Sequence, residues 1–350
     1  MKALTYAGPQ AISCTEVDDP ALPGPDGAIV RVTAAGICGS DLHIYGGHGF
    51  TPGTGYGVGH EAVGQVVELG PQAHGLSVGD RVLVPASAGC DRCGNCRAGV
   101  VAACARQPLP VDACYGLGGA LAGAQAQLLA VPHAGGNLVR LPDAIGDEAA
   151  VVLTDNAPTA WYGARRARIA PGDTVVVIGL GPVGLMAVQA AFVMGAARVL
   201  GVDLVADRRA RAAALGAEPV EDDDPKQAVR EMLGGGGADV AVEAVGADAT
   251  IALATAVVGH RGRVAVVGVS QNRAFPFHLP LAQVKELEFH IGLCSVQYEL
   301  PALLSLTAAG RLRPEVVVSH RLPMSAGARA YRMFADRADD VCKVVLDPWR

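Results

Sequence analysis

The hydrophobic pattern of the chain changes near residue 171. Before that point, short apolar runs such as 28–35, 62–69 and 80–85 are separated by Gly and Pro. Short strands bounded by turn residues produce this spacing. We therefore expect a compact β-rich domain with long functional loops in roughly the first 150 residues.

Beyond residue 171 the pattern alternates between strand-like and helix-like segments. The run TVVVI at 174–178 is apolar and mostly β-branched, as in a parallel strand that is covered on both faces. A glycine turn and an apolar helical stretch over 183–194 follow it. Further strands are predicted at 198–202, 217–220, 239–243, 263–267 and 287–291. This alternation indicates an α/β fold with a doubly wound parallel sheet of about six strands.

The tail after residue 296 contains a helical stretch, 300–309, and a strand-like segment, 343–346, that does not obviously extend this sheet. The length of 350 residues suits two domains. Hydrophobic residues make up 51% of the chain and charged residues 18%, so a large core can form and disorder is not expected.

Charge and hydropathy exclude several kinds of partner. The net charge is −6 and Lys and Arg form no long run, whereas a nucleic-acid partner would require a basic stripe. No stretch of 18 residues is continuously apolar, and the N-terminus lacks the apolar stretch of a signal peptide. We therefore expect a cytoplasmic enzyme without nucleic-acid or membrane partners.

A glycine motif follows the strand at 174–178 and opens the next helix. The sequence GLGPVG at 179–184 has the GxGxxG spacing of dinucleotide-binding folds. Its glycines allow a tight turn, close approach of a pyrophosphate and close packing of helix on strand. The predicted cofactor contacts in this motif are Gly179, Gly181, Pro182, Val183 and Gly184. A structural glycine turn without a nucleotide is the alternative.

The acidic residue Asp203 ends the second strand of this region. A carboxylate at this position accepts hydrogen bonds from ribose hydroxyls and repels the 2′-phosphate of NADP, which favours NAD. Arg208 and Arg209 complicate this interpretation, since a guanidinium can hold a phosphate. We include Arg208 among the predicted cofactor contacts.

Four of the nine cysteines form what we call the cysteine loop, at Cys90, Cys93, Cys96 and Cys104. Four thiolates can close a tetrahedral zinc shell and leave no position for water, which is typical of a structural site. An iron–sulfur cluster or free thiols are the alternatives. Cys114 lies nearby, and we interpret it as a packed thiol.

Two further segments concentrate reactive side chains. Residues 36–43, GICGSDLH, hold a thiol, a hydroxyl, a carboxylate and an imidazole, and residues 59–61 are GHE. Any one of these groups alone is more often structural than reactive. Their combination with the glycine motif and the cysteine loop changes that interpretation.

Together, these motifs resemble those of the zinc-containing medium-chain alcohol dehydrogenases, and the resemblance covers essentially the whole chain. It rests on GICGSDLH, GHE, the cysteine loop and GLGPVG followed by Asp203. The resemblance implies a GroES-like β-rich catalytic domain over 1–153 and 297–350, with the C-terminal segment rejoining the first domain. It implies a Rossmann NAD-binding domain over 154–296.

The resemblance also implies two zinc ions per chain, of which the cysteine loop holds the structural one. Cys38 and His60 match ligands of the catalytic zinc, and Asp155 occupies the position of the third ligand, which is Cys, Asp or Glu in different members. Glu61 matches a carboxylate that binds this zinc in some members only, and we include it among the predicted catalytic-zinc residues. Asp41 matches the carboxylate that orients the zinc-bound histidine.

The activity that the resemblance implies is reversible hydride transfer between a primary or secondary alcohol, or its aldehyde or ketone, and NAD. Three protein ligands leave one zinc position open for the alcohol oxygen, which zinc stabilises as an alkoxide. Ser40 takes the proton, which passes through the nicotinamide ribose hydroxyl to His43.

The substrate and the assembly stay open at this point. No Arg or Lys lies beside the catalytic motifs to bind a carboxylate or phosphate, which favours a neutral alcohol, although polyols, sugars and amino alcohols are candidates. The competing functions are a zinc-independent quinone or enoyl reductase and a non-enzymatic NAD-binding regulator, and the intact site residues disfavour both. Family members are usually dimers or tetramers, and the length favours a homotetramer over a homodimer.

Overall fold

The structure, a computed structural model, describes residues 1–270, 272 and 274–350. The strands are β1 (Lys2–Gly8), β2 (Ala11–Glu16), β3 (Ala28–Ile37), β4 (Ala62–Leu69), β5 (Arg81–Val84), β6 (Leu128–Val131), β7 (Val139–Arg140), β8 (Thr174–Ile178), β9 (Arg198–Val202), β10 (Glu218–Pro219), β11 (Ala238–Glu243), β12 (Val258–Val266), β13 (Glu288–Ile291), β14 (Val318–Pro323) and β15 (Lys343–Asp347).

The α-helices are α1 (Asp41–Tyr45), α2 (Gly94–Arg97), α3 (Ala134–Asn137), α4 (Asp147–Leu153), α5 (Asn156–Arg166), α6 (Pro182–Val193), α7 (Ala206–Ala214), α8 (Pro225–Met232), α9 (Asp248–Val257), α10 (Leu279–Lys285), α11 (Val296–Ala308) and α12 (Gly327–Asp336). Short 3-10 helices lie at Val101–Ala103, Pro110–Ala113, Pro314–Val317 and Met324–Ala326. Within the described residues, every helix is too short or too polar to cross a lipid bilayer.

The chain folds into two compact units. The first comprises Met1–Pro158 and Cys294–Arg350, and the second comprises Thr159–Leu293. A seven-stranded sheet in the first unit has the order β14-β15-β3-β4-β5-β7, and β6 pairs with β3 beside this path. The strand predicted at 343–346 is β15, which lies between β14 and β3. The tail of the chain therefore forms one side of this sheet, with β14 at its edge.

The core of the first unit lies on both faces of β3, because successive side chains of a strand point to opposite faces. Val30 and Val32 pack in one buried cluster with β5 and β6 residues. Ile37 packs in another with Leu4 of β1 and Tyr331 of α12. Strand β3 is thus covered on both sides, and the loop that follows it starts from a rigid support.

The second unit contains the predicted doubly wound sheet. Its six strands are parallel and lie in the order β10-β9-β8-β11-β12-β13. In chain order this is 3-2-1-4-5-6, the order of the Rossmann fold. The TVVVI strand is β8, at the centre, and its four last residues are buried. The predicted helix over 183–194 is α6, so the structure confirms the α/β interpretation.

Candidate functional site

Strand pairing in the first unit brings three distant segments together. Strands β3 and β4 run antiparallel with Ala35 opposite Ala62, so the end of β3 lies beside the start of β4. The turn between α4 and α5 reaches the same place. A thiol, an imidazole and two carboxylates, all within 4.8 Å of one another, form what we call the mixed cluster: Cys38, His60, Glu61 and Asp155.

Asp155 lies between the sulfur and the imidazole of the mixed cluster. Its Oδ2 atom is 3.3 Å from Cys38 Sγ and 3.5 Å from His60 Nε2. Asn156 Nδ2 donates to Asp155 Oδ2 at 3.2 Å and to Glu61 Oε1 at 2.8 Å. Asn156 therefore holds both carboxylates from one side, a contact that the sequence motifs did not indicate.

The orientation of His60 follows from Asp41, which opens α1 and is 1% exposed. Asp41 Oδ2 accepts from the backbone N–H of Cys38 at 2.9 Å, and Oδ1 lies 3.2 Å from His60 Nδ1. Burial disfavours the charged imidazole, but the charge of Asp41 and hydrogen bonds to Asp155 and Asp41 raise the pKa of His60 well above its usual value. The other ring nitrogen, Nε2, faces Asp155.

The two residues predicted to move the proton lie at α1. Ser40 precedes this helix, and its hydroxyl is 3.3 Å from His60 Nε2. His43 lies on the helix and is half-buried, with its ring edge-on to that of Phe50 at 6.4 Å between centroids. The structure thus brings Ser40 directly to the mixed cluster and places His43 one helical turn further along.

The charges in the mixed cluster test whether a metal ion suits it. Burial, followed by the negative charges of Asp155 and Glu61, raises the pKa of the Cys38 thiol. Burial also raises the pKa of Glu61. Buried anionic groups in such close contact repel one another, and a divalent cation relieves this repulsion. Thiolate, imidazole and carboxylate are ligands of zinc, so the residues fit a zinc ion.

Lys343 is a cation that the sequence reasoning missed. Its ammonium group contacts the Glu61 carboxylate and donates to the carbonyl oxygen of Ile37 at 3.1 Å, and its side chain is fully buried. The expectation that no Lys or Arg lies beside the catalytic motifs is therefore wrong for the folded protein. It holds only for neighbours in the sequence. Pairing of β15 with β3, Val344 opposite Ile37, brings Lys343 there. A lysine that opens the apolar run KVVL was the available signal.

The cysteine loop brings its four sulfur atoms within 4.8 Å of one another. Backbone N–H groups of Cys93 and Cys96 donate to the sulfurs of Cys90 and Cys93, each at 3.4 Å. Hydrogen bonds from backbone N–H groups of Cys96 and Ala105 lower the pKa of Cys93 to about 6. Four sulfur atoms gathered in one loop, with backbone N–H groups donating to two of them, fit a structural zinc ion. Cys114 lies outside this group and forms an isolated bridge with Ser87.

The glycine motif forms the turn between β8 and α6. Gly179 has φ of 86°, and a Cβ atom at Gly184 would collide with the Gly179 carbonyl oxygen. A Cβ atom at Gly181 would meet only Arg208 Nη1, at 3.9 Å. The turn is therefore tight where helix and strand pack, and open at Gly181, where α6 begins with Pro182 and Val183.

Asp203 lies directly after β9 and contacts the glycine turn. Its Oδ2 accepts from the backbone N–H of Leu180 at 2.7 Å, and its Oδ1 accepts from that of Val205 at 2.8 Å. Arg208 Nη1 is 3.7 Å from Asp203 Oδ2, and Arg209 Nη1 donates to the Asp203 carbonyl oxygen at 2.8 Å. A carboxylate and two guanidinium groups therefore lie together at the end of β9, and the guanidinium of Arg208 is the one beside the carboxylate.

Two family profiles match the chain. The alcohol dehydrogenase GroES-like domain matches residues 24–143, and the zinc-binding dehydrogenase profile matches residues 182–309. A probable zinc-binding alcohol dehydrogenase of Mycobacterium tuberculosis is 41% identical to the chain, over 99% of this chain and 89% of the relative.

Solved structures give the same result. An alcohol dehydrogenase from Thermus sp. ATN1 superposes with a TM-score of 0.92 at 40% identity and covers 99% of both chains. A putative zinc-binding dehydrogenase from Sinorhizobium meliloti, bound to NADP, superposes with a TM-score of 0.84 at 27% identity, again over 99% of both chains. With both domain profiles matched and close relatives along nearly its whole length, the chain belongs to the zinc-containing medium-chain alcohol dehydrogenase family, whose members are oxidoreductases.

Proposed function

We propose that the chain catalyses reversible hydride transfer between a neutral primary or secondary alcohol and NAD, with a catalytic zinc ion on Cys38, His60 and Asp155. The convergence of a thiol, an imidazole and a carboxylate at one buried point carries this proposal. Glu61, the fourth member of the mixed cluster, already has Lys343 on one oxygen and Asn156 on the other. Three available ligands leave one zinc position for substrate, as catalytic sites require.

Zinc, when bound, supplies Lewis-acid chemistry that lowers the pKa of an alcohol oxygen. Ser40 accepts the alcohol proton at its hydroxyl oxygen, which lies beside His60. His43, which is half-buried on α1, would receive this proton and release it to solvent, and a ribose hydroxyl of bound NAD would link the two side chains. Asp41 holds His60 throughout, so the imidazole keeps its orientation as the charge on the substrate changes.

A neutral substrate is favoured by the state of the nearest cation. Among the described residues, Lys343 reaches the mixed cluster, and its ammonium is already paired with Glu61. A substrate carboxylate or phosphate would therefore have to compete with a buried ion pair. We keep small alcohols first in the proposed order, followed by polyols and amino alcohols.

NAD is the proposed cofactor because Asp203 lies directly after β9, beside the glycine turn. A carboxylate there favours ribose hydroxyls over a 2′-phosphate. The position of Arg208 near Asp203 gives NADP a possible counter-charge, so we propose a preference for NAD rather than exclusion of NADP. The second unit would supply these contacts from Gly179, Gly181, Pro182, Val183, Gly184, Asp203 and Arg208.

The cysteine loop would hold a second, structural zinc ion. A homotetramer, with a homodimer as the alternative, and a cytoplasmic location complete the proposal. Light scattering of the purified protein tests the assembly directly.

The experiment that tests the proposal combines zinc content per chain with NAD and NADP reduction across a panel of small alcohols and polyols. Two zinc ions with faster NAD-linked turnover would support it, and one zinc ion without turnover would refute it. Asp155→Ala should lose one zinc ion and its activity, whereas Asp18→Ala, at an exposed position, should keep both. If Asp155→Ala retained two zinc ions, Asp155 would no longer be a proposed ligand.

A further inference from the structure

A buried glutamine lies behind the mixed cluster. Gln125 is 0% exposed and lies shortly before β6. Its side-chain amide offers two N–H donors and one carbonyl acceptor. The Nε2 group donates to the Gly36 carbonyl oxygen at 2.8 Å and to Asp41 Oδ2 at 3.3 Å. Oε1 accepts from the Tyr331 hydroxyl at 2.9 Å. Both ends of the amide are therefore engaged by protein groups.

These contacts tie Gln125 to the segment that carries the thiol of the mixed cluster. Gly36 lies two residues before Cys38, and the Asp41 carboxylate accepts a hydrogen bond from the backbone N–H of Cys38. The other oxygen of Asp41 faces the imidazole of His60. One amide thus reaches the backbone that precedes Cys38 and the carboxylate that orients His60.

Gln125 also packs against the backbone that leads to His60. Gly59 has φ of 88°, and a Cβ atom there would collide with Gln125 Cγ. The backbone of this segment pairs with the same region, because Ala124 N–H donates to the Gly59 carbonyl at 2.8 Å and Gln125 N–H donates to that of Val58 at 3.1 Å. Gln125 therefore contacts both segments that supply the mixed cluster from β3 and β4.

The groups around Gln125 fix which way its amide points, and one of them is Tyr331. Tyr331 lies on α12, is fully buried, and packs its ring 5.6 Å from that of Tyr45 on α1. A flipped amide would set its carbonyl oxygen against the Gly36 carbonyl and the Asp41 carboxylate, and its N–H groups against the Tyr331 hydroxyl. Because the first two contacts repel, the hydroxyl and the two acceptors together select one orientation.

We propose that Gln125 and Tyr331 are positioning residues of the metal site, acting through Asp41 on His60 and through Gly36 on the Cys38 turn. The inference rests on the proposed function only in requiring that the mixed cluster binds zinc. Partners behind metal ligands of this kind set ligand orientation, and their loss lowers metal affinity about 10- to 100-fold. Because Gln125 contacts zinc ligands only indirectly, we expect the lower end of that range.

The test compares Gln125→Met with Gln127→Met. Gln127 is the same residue type two positions further along, but its side chain accepts from the backbone N–H of Lys2, on β1. Zinc release to a chromophoric chelator is followed in each variant, and Cys38→Ala identifies which release phase belongs to the mixed cluster. We expect Gln125→Met to release that zinc about tenfold faster, with the cysteine-loop phase unchanged, and Gln127→Met to match the unaltered protein.

Two further measurements separate positioning from general destabilisation. Tyr331→Phe removes only the hydroxyl that holds Gln125 Oε1, so it should accelerate release of the same zinc by a smaller factor, roughly threefold. With cobalt(II) in the mixed cluster, Gln125→Met should shift the visible absorption bands, because these bands report ligand geometry. Gln127→Met should leave them in place.

The proposal fails if Gln125→Met releases the mixed-cluster zinc at the unaltered rate, or if both release phases accelerate equally. Should Gln125→Met not fold, Tyr331→Phe decides, and an unchanged rate in that variant overturns the proposal. An unaltered chain that binds only one zinc ion would remove the proposed function instead. If the unaltered chain binds two zinc ions and the variants release the mixed-cluster zinc at the unaltered rate, only this inference is refuted.

Discussion

The cysteine loop and the mixed cluster each gather four donor groups within 4.8 Å, yet they are built in opposite ways. All four donors of the cysteine loop come from one short stretch of chain and are chemically identical. Its sulfurs accept hydrogen bonds from the loop's own backbone N–H groups. The mixed cluster joins residues as far apart as Cys38 and Asp155, 117 positions along the chain, and side chains from elsewhere hold it.

Under the proposed function, this difference would let one chain hold a structural and a catalytic metal ion with the same number of donor groups. Four equivalent thiolates fill all four positions of a tetrahedral zinc ion, so no position stays open. In the mixed cluster one carboxylate, Glu61, is neutralised by the buried cation Lys343. The number of donor groups is therefore the same, but under the proposed function one fewer would be available to the metal ion in the mixed cluster.

The largest expected effect tests the structural role of the cysteine loop. Cys93→Ala should remove one zinc ion and lower the free energy of unfolding by several kcal/mol, on the order of 5, because metal binding in such loops is part of folding. Urea unfolding and zinc content measure both. Cys14→Ala, on β2 and outside either group, serves as the matched control. A Cys93→Ala variant with two zinc ions would contradict the closed-shell interpretation.

Cys38→Ala should show the opposite balance. Loss of one ligand of the catalytic zinc should cut kcat/KM about 1,000-fold, equivalent to about 4 kcal/mol, because zinc stabilises charge in the transition state. Stability should change far less than in Cys93→Ala. Steady-state kinetics and urea unfolding on the same preparations provide the comparison. If Cys38→Ala lost stability as heavily as Cys93→Ala, the two sites would not differ in role.

Lys343→Met tests whether the cation keeps Glu61 from the metal. The variant should lose about 3 kcal/mol of stability, because a buried carboxylate is left without its partner. Freed Glu61 should then approach the metal, so zinc release should slow and turnover should fall. The double variant Glu61→Met with Lys343→Met should recover most of the stability. Lys2→Met, at an exposed position on β1, is the control, and equal losses in both lysine variants would refute the pairing argument.

The smallest effect concerns thiol reactivity in the metal-free protein. The pKa of Cys93 is lowered to about 6, so this thiol is ionised above that pH, whereas burial raises the pKa of Cys38. At pH 7, iodoacetamide should therefore label Cys93 at least about tenfold faster than Cys38, and the Cys93 rate should fall as the pH drops below 6. Cys96, whose pKa burial raises to about 12, should label slowly as well. Peptide mass spectrometry measures all three, and earlier labelling of Cys38 would overturn the contrast.

The cysteine loop and the glycine turn could be predicted from the sequence because their geometry is local. Ligand spacing within one loop, or three glycines after a buried strand, already specifies which groups can meet. The alternation of β8, α6 and β9 likewise follows from periodicity. The largest strand-boundary difference is at β12, which begins at Val258, before the predicted 263–267, and its early part includes the exposed His260 and Arg261. Strand pairing, rather than apolar character, extends it there.

The sequence alone thus determined the α/β fold class, with a β-rich domain and a doubly wound parallel sheet, together with the donor types and the motifs. Only the tertiary structure decided what surrounds them. Lys343 meets Glu61 across 282 positions, and Tyr331 meets Gln125 across 206. No periodicity connects such residues, because their contact depends on β15 entering the sheet beside β3 and on α12 packing near α1. Local patterns report which chemistry a segment can offer, whereas the balance of charge around a buried site depends on which distant segments the fold places against it.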